Sequence, residues 1–247
     1  METDLDFSDM NFLGTPQISN DLRYIAVGDI HGASDQLERL LEQNELFVGR
    51  RAVFLGDYVD VGANGKSVIS VLRRFGELAP DTVFLCGNHE FLLKEYYNVG
   101  NFVEYACRGG LPTIRSYLGK AFADVHEQFR KSVPQDHLEF LRNLAPFFET
   151  PDYLFSHAGF SAFDPSNRSF STMVLASHQE LFLDATPPEK VAVFGHYFRR
   201  DHRPWVGRNM LCIDTGCGII QGPLTAVLLP EKRFVSIRPN LTILHDA

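Results

Sequence analysis

The chain of 247 residues reads as an α/β protein with a parallel core, on two observations. Three apolar runs, IAVGDIHG at 25–32, AVFLGDYVD at 52–60 and VFLCGNHE at 83–90, each end in Gly-Asp or Gly-Asn. Asp29, Asp57 and Asn88 in these turns are 28 and 31 residues apart, the length of a strand, a crossover helix and the next parallel strand. Between the runs, Leu37, Leu40 and Leu41, then Val68, Val71, Leu72 and Phe75, recur at helical intervals.

Taken in order, the pattern predicts a strand near 23–27, a helix near 33–43, a strand near 52–55, a helix near 66–75 and a strand near 82–85. From 90 to 148 the strand signal stops. Runs such as EFLLKEYYNV and DHLEFLRNLAPFF predict helices broken at Gly109-Gly110, Gly119 and Pro134, a helical insert around 100–150. Strands return at 153–159, 191–197, 211–216, 224–230 and 233–237, with a helix between 171 and 183. Short spacing and Gly/Pro turns make the last three an expected antiparallel meander. The expected product is one domain over 21–247 with a mixed, two-sheet core, preceded by an acidic leader at 1–20.

Composition narrows the function classes. With 45% hydrophobic residues the chain can bury one large core. A formal charge of −8 argues against a general binder of nucleic-acid polymers, whose phosphates require a basic face. No run approaches a membrane span, and the N-terminus lacks the basic and apolar regions of a signal peptide. Cys86, Cys107, Cys212 and Cys217 form no CxxC pair, so four reduced thiols in a cytoplasmic protein are expected. Cys212 and Cys217 are a metal pair only by proximity.

In open α/β sheets ligands sit at the carboxyl ends of the strands, so the three turns gather Asp29, His31, Asp57, Asn88 and His89 around one point. His157 in FSHAG and His196 in VFGHY add two more strand ends beside glycine. A single Gly-Asp after a strand is usually only a turn with an Asx hydrogen bond. Five such ends bearing Asp, Asn or His point to a metal centre. Two divalent ions require a bridging carboxylate, for which Asp57 is the natural candidate, and can clamp both oxygens of an in-line displacement at phosphorus. The mixture of imidazole, carboxylate and amide donors suits Mn most, with Fe or Zn as options.

GDIHG, GDYVD, GNHE, HAG and GH, in this order, resemble the phosphoprotein phosphatase branch of the calcineurin-like metallophosphoesterases in its bacterial form. The resemblance extends from residue 23 to about 230 and includes CRGGLPTIRSYLG and IDTGCG…GPLTAVLLP. It implies an αββα sandwich of two sheets flanked by helices. It implies that Asp29 and His31 hold one ion, that Asp57 bridges, and that Asn88, His157 and His196 hold the second. It implies further that His89, partnered by Asp60, protonates the leaving oxygen while water activated by both cations attacks. A carboxylate beside imidazole favours the protonated ring this role needs. The implied substrate is a phosphorylated protein or a small phosphoester. Hydrolysis of dinucleoside tetraphosphates uses the same motifs and is the first alternative; a metal-binding regulatory module with weak turnover is the second.

The chain departs from the family pattern at Val61, where GD-x-x-DRG would place a phosphate-binding arginine. A second family arginine, expected after HAG, is not evident in VLASHQELFL at 174–183. Arginine binds phosphate through a bidentate fork, so its loss matters. Candidate substitutes are Arg108, His178, and Arg199, Arg200 and Arg203 in the RRDHR loop. Arg108 is the favoured one.

Overall fold

The computed structural model describes residues 23–119, 124–182, 189–238 and 241–246. The expected leader at 1–20 lies outside them. Strand β1 (Arg23–Val27) is followed by α1 (Ser34–Leu41), the single turn α2 (Asn44–Phe47), β2 (Arg50–Phe54), α3 (Gly65–Leu78) and the two-residue β3 (Val83–Phe84). The three strands are parallel, β1 to β2 and β2 to β3. Side chains alternate across this sheet, as the pleat requires. Tyr24, Ala26, Val53 and Leu55 enter a core shared with Phe155, Val193, Leu211 and Ile213 of the second sheet. Ile25, Val27 and Phe54 belong instead to the core built with Leu37 and Leu40 of α1 and Val68, Ile69 and Leu72 of α3. Burial on both faces explains why these strands read as continuous apolar runs.

The helical insert comprises α4 (Asn88–Val99), α5 (Phe102–Cys107), α6 (Leu111–Leu118), α7 (Val125–Ser132) and α8 (Gln135–Arg142). Its breaks match the sequence: α6 starts after Gly110 and ends at Gly119, and Pro134 precedes α8. The second half contains β4 (Phe147–Glu149), β5 (Tyr153–Ser156), β6 (Val191–Phe194), β7 (Trp205–Gly207), β8 (Met210–Cys212), β9 (Leu224–Leu229), β10 (Arg233–Arg238) and β11 (Leu241–Asp246). One sheet has the order β11-β10-β9-β1-β2-β3 and the other β4-β5-β6-β8-β7.

Two expectations are corrected. The run at 211–216 does not join a meander with 224–230 and 233–237: β8 lies in the second sheet, parallel to β6, while β9 and β10 extend the first sheet. Local turn chemistry could not distinguish these, because the chain crosses between sheets at Asp214–Gly222. The helix expected over 171–183 is only a π turn at Ser171–Leu175 and a 3₁₀ turn at Gln179–Phe182. Strands β4, β7 and β11 had no sequence signal, being short or at sheet edges.

The topology has one consequence for function. β1, β2 and β3 run parallel in one sheet, and β5, β6 and β8 run parallel in the other. Their carboxyl ends carry Asp29, Asp57, Asn88, His157, His196 and Asp214.

Candidate metal and catalytic centre

Asp57 is the hub. Its Oδ2 lies 3.5 Å from Nε2 of His31 and 3.3 Å from Nε2 of His157, between ligands supplied by the two sheets. Its Oδ1 accepts the His89 amide at 3.0 Å. Burial opposes ionisation of Asp57, but the charges of His157 and His89 outweigh it and hold the carboxyl well below the usual range. Two groups of donors, His31, Asp57 and His89, and Asp57, His157 and His196, each bring their ligand atoms within 4.8 Å of one another.

The loop carrying Asp57 is held by Glu90. Its Oε2 accepts the amides of Gly87 and Asp57 at 2.9 and 2.8 Å, and its Oε1 those of Tyr58 and Val59 at 2.8 and 3.2 Å. One buried carboxylate thus ties the start of α4 to the loop after β2. Burial and the neighbouring Asp57 push its pKa to about 7, against the pull of these amides.

The histidines are aimed by backbone carbonyls. His31 Nδ1 bonds Val59 O at 3.2 Å and His157 Nδ1 bonds Leu55 O at 3.0 Å, which leaves each Nε2 facing inward. His157 Nε2, His196 Nδ1 and Asn88 Oδ1 converge at 2.8 to 3.1 Å. Burial lowers the pKa of His31 and of His196 to about 4, so both keep a free lone pair at neutral pH. At His157 burial acts the same way, but the Asp57 charge prevails and raises it.

These residues fit divalent cations. Asp29 is 2% exposed; its Oδ2 accepts the His196 amide at 3.0 Å, while its Oδ1 has no hydrogen-bond partner. Oδ2 of buried Asp214 is also unpartnered. Burial, then the charges of Asp214 and Asp57, raise the pKa of Asp29 well above normal. Asp29, Asp57 and Asp214 are buried close enough for their charges to act on one another, an arrangement that bound cations would offset. Gly195 is the cradle: a Cβ there would sit 1.9 Å from Asp29 Oδ1.

His89 and Asp60, the candidate acid pair, are joined by a hydrogen bond of 2.9 Å between Nδ1 and Oδ2. Burial works against charge on His89, yet the field of Asp57 and the hydrogen bond and charge of Asp60 raise its pKa to about 9. Without metal this favours the protonated ring. Five site residues, His31, Asp57, Asp60, Val61 and His196, have φ between 44° and 68°, in the left-handed region that costs a non-glycine residue energy. Such clustering of backbone strain accompanies functional sites.

The family description of calcineurin-like phosphoesterases matches residues 22–220. This chain belongs to that family. It is 35% identical over 126 residues to serine/threonine-protein phosphatase 7 of Arabidopsis thaliana, an alignment spanning 44% of this chain and 30% of that protein. It is 27% identical over 241 residues to an asymmetrical bis(5′-nucleosyl)-tetraphosphatase of Halalkalibacterium halodurans, covering 87% of this chain and 94% of the relative. The crystal structure of a candidate diadenosine tetraphosphatase superposes with a TM-score of 0.61 at 22% identity, covering 89% and 95% of the two chains, a likeness of fold.

Around the metal cradle of this calcineurin-like phosphoesterase, the residues considered as arginine substitutes have different surroundings. The turn containing Arg108 touches the deviant position: Val61 N–H donates to Gly109 O at 2.9 Å, and the Arg108 side chain is exposed. His178 is 8% exposed, with Nε2 on Thr172 O at 3.0 Å and Nδ1 on Glu180 at 3.2 Å, so both ring nitrogens already have partners. Arg199 pairs with Asp201 at 2.7 Å on the surface. Arg200 and Arg203 are exposed in the same loop, beyond His196. Cys212 and Cys217 join no candidate metal group among the described residues; their thiols point to Tyr197 O and Gln36 Oε1. Sequence reasoning missed Glu90, Tyr105, Thr113 and Asp214. Glu90 in GNHE, Thr113 in CRGGLPTIRSYLG and Asp214 in IDTGCG lie inside motifs quoted for the resemblance but drew no role there, and Tyr105 had no motif signal.

Proposed function

We propose that this phosphoesterase is an enzyme that uses two divalent ions, Mn foremost, to hydrolyse phosphoesters and phosphoanhydrides. Asp29 and His31 would hold one ion, Asn88, His157 and His196 the other, with Asp57 between them. Such ions supply a water of lowered pKa and offset the charge on the phosphoryl oxygens. The observation that carries the reading is the His89–Asp60 pair, its carboxylate fully buried, beside that cradle. His89 is held through Nδ1, and its Nε2 proton passes to the oxygen that leaves phosphorus, so the product departs as an alcohol or a protonated phosphate. The neutral ring is reprotonated from solvent.

For the substrate, similarity along nearly the whole of both chains favours a dinucleoside tetraphosphate. The second reading, a phosphorylated protein on Ser, Thr or Tyr, is supported by the higher identity to a protein phosphatase over a shorter segment. The four free cysteines agree with a reducing, cytoplasmic setting, and no helix of the described residues is long and apolar enough to cross a membrane. The test is a Mn-dependent assay of diadenosine tetraphosphate, a phosphopeptide and a chromogenic phosphomonoester side by side. Tetraphosphate cleavage with kcat/KM at least tenfold above the others is the expected outcome. Preference for the phosphopeptide would select the second reading. No turnover of any by Mn-loaded protein would leave the regulatory module.

A further inference from the structure

Behind the acid pair lies a third side chain with no role in the reading above. Oδ1 of Asp60, the oxygen facing away from His89, accepts a hydrogen bond from the Tyr105 hydroxyl at 2.5 Å. Both residues are buried, Asp60 completely. We propose that Tyr105 is the positioning residue of the general acid, acting on His89 through Asp60; the assignment rests on His89 being that acid.

The geometry supports positioning over simple packing. A carboxylate can rotate about its Cβ–Cγ bond, and rotation would carry Oδ2 away from His89. Tyr105 holds the other oxygen and so fixes the carboxylate plane. The Asp60 backbone is fixed as well: its N–H donates to Thr113 Oγ1 at 2.8 Å, and the next N–H, of Val61, donates to Gly109 O. Asp60 and Val61 have φ of 68° and 63°, a pair of left-handed residues that isolated chain would abandon. All three anchors come from one segment, 105–113, and none comes from the metal cradle.

The segment is itself seated on the helix bearing His89. Tyr105 stacks on Tyr96 of α4, with ring centroids 4.7 Å apart and planes 17° apart. Gly110 leaves room for the ring, since a Cβ there would lie 2.4 Å from a Tyr105 ring carbon. Burial, with the Asp60 charge, raises the phenol pKa well above normal, so the hydroxyl stays a donor. Donation to Oδ1 stabilises charge on the Asp60 carboxylate, and the shared proton stays on His89 Nδ1. When His89 gives its Nε2 proton to the leaving oxygen, the carboxylate need not move. A tyrosine that only filled space could be phenylalanine.

Tyr105→Phe tests this, because it keeps the stacked ring. The assay uses Mn-loaded full-length protein and a series of aryl phosphates of graded leaving-group pKa, with His89→Ala as reference. The expected result is a kcat loss of about tenfold for phenyl phosphate but under twofold for 2,4-dinitrophenyl phosphate, with KM nearly unchanged, because a good leaving group needs no acid. Equal loss on both esters, or a change confined to KM, overturns the assignment if His89→Ala still shows the leaving-group dependence. If His89→Ala also lacks it, the general-acid reading falls and the assignment with it. A second readout is independent of turnover: the His89 Nδ1 proton resonance of protein loaded with a diamagnetic ion. It is expected in the wild type and broadened or shifted in Tyr105→Phe; an unchanged resonance overturns the assignment.

Discussion

The Val61 N–H donates to the Gly109 carbonyl at 2.9 Å, and Val61 does so with φ of 63°, a left-handed conformation that β-branched residues strongly avoid. The position that departs from the family motif is therefore also one of the strained positions of the site. Its backbone is kept in place by the helical insert. Relieving the strain should stabilise the protein by about 1 kcal/mol, since a left-handed L-residue costs roughly 1–2 kcal/mol. Val61→Gly is expected to raise the thermal midpoint by about 2–4 °C at this chain length. Differential scanning calorimetry checks it; a lower midpoint would show that the Val61 side chain contributes more by packing than it costs.

Asp29 gives a prediction whose sign depends on metal. Its pKa is raised above the unfolded value, so the group destabilises the metal-free fold at pH values above the unfolded carboxylate range, and the penalty lifts as pH falls from the folded toward the unfolded pKa. Asp29→Asn keeps an oxygen for the His196 amide and removes the buried charge. The variant should unfold at higher urea than wild type without metal. Mn should stabilise the wild type more than the variant, which keeps the residues proposed for the second ion. Urea melts with and without Mn decide it.

His89 has linkage of the same sign, but as a stabilising contribution that is lost with rising pH and not as a penalty. Its folded pKa of about 9 lies above the unfolded value, so its contribution is fully present below about 6.5 and disappears as pH rises through 9. In metal-free protein, His89→Gln should cost on the order of 3 kcal/mol at pH 6 and little at pH 10. Equilibrium unfolding of both proteins across that range measures the difference. A cost that does not vary with pH would separate His89 from the charges of Asp57 and Asp60.

Glu90 accepts four backbone amides, so Glu90→Gln places an NH₂ group against N–H donors of Gly87 and Asp57 or of Tyr58 and Val59. Leaving buried donors unmet costs about 1–3 kcal/mol each. The variant is expected to lose 2 kcal/mol or more of stability and at least tenfold in Mn affinity, because the Asp57 loop loses its anchor. Unfolding and calorimetric titration report the two losses separately.

How far this was legible from the sequence differs between the halves of the chain. The β1–α1–β2–α3–β3 order could be read because each step is local: apolar runs of strand length, helical spacing between them, and a polar turn at each end. The turns of α6 and the start of α8 were marked by Gly and Pro for the same reason. The placement of β8 was not legible. Nothing within LCIDTG states which sheet its hydrogen bonds will join, and pairing with β6 is decided by packing across the intervening residues 195–209. The weak helix at 171–183 failed because its apolar residues pack under the second sheet in turns too short to make an α-helix.

Within the site, the sequence by itself determined the residue types and the strand ends that carry them, because Asp, Asn and His are metal donors and the glycines beside them allow close approach. Tertiary structure alone decided the geometry among them: that Asp57 Oδ2 lies between His31 and His157, that Glu90 binds four amides, and that Tyr105 reaches Asp60 across 45 residues. The physical reason is range. Donor chemistry and turn propensity are properties of neighbouring residues, whereas the direction of a side chain at a buried site is fixed by partners brought to it by the packing of two sheets and a helical insert.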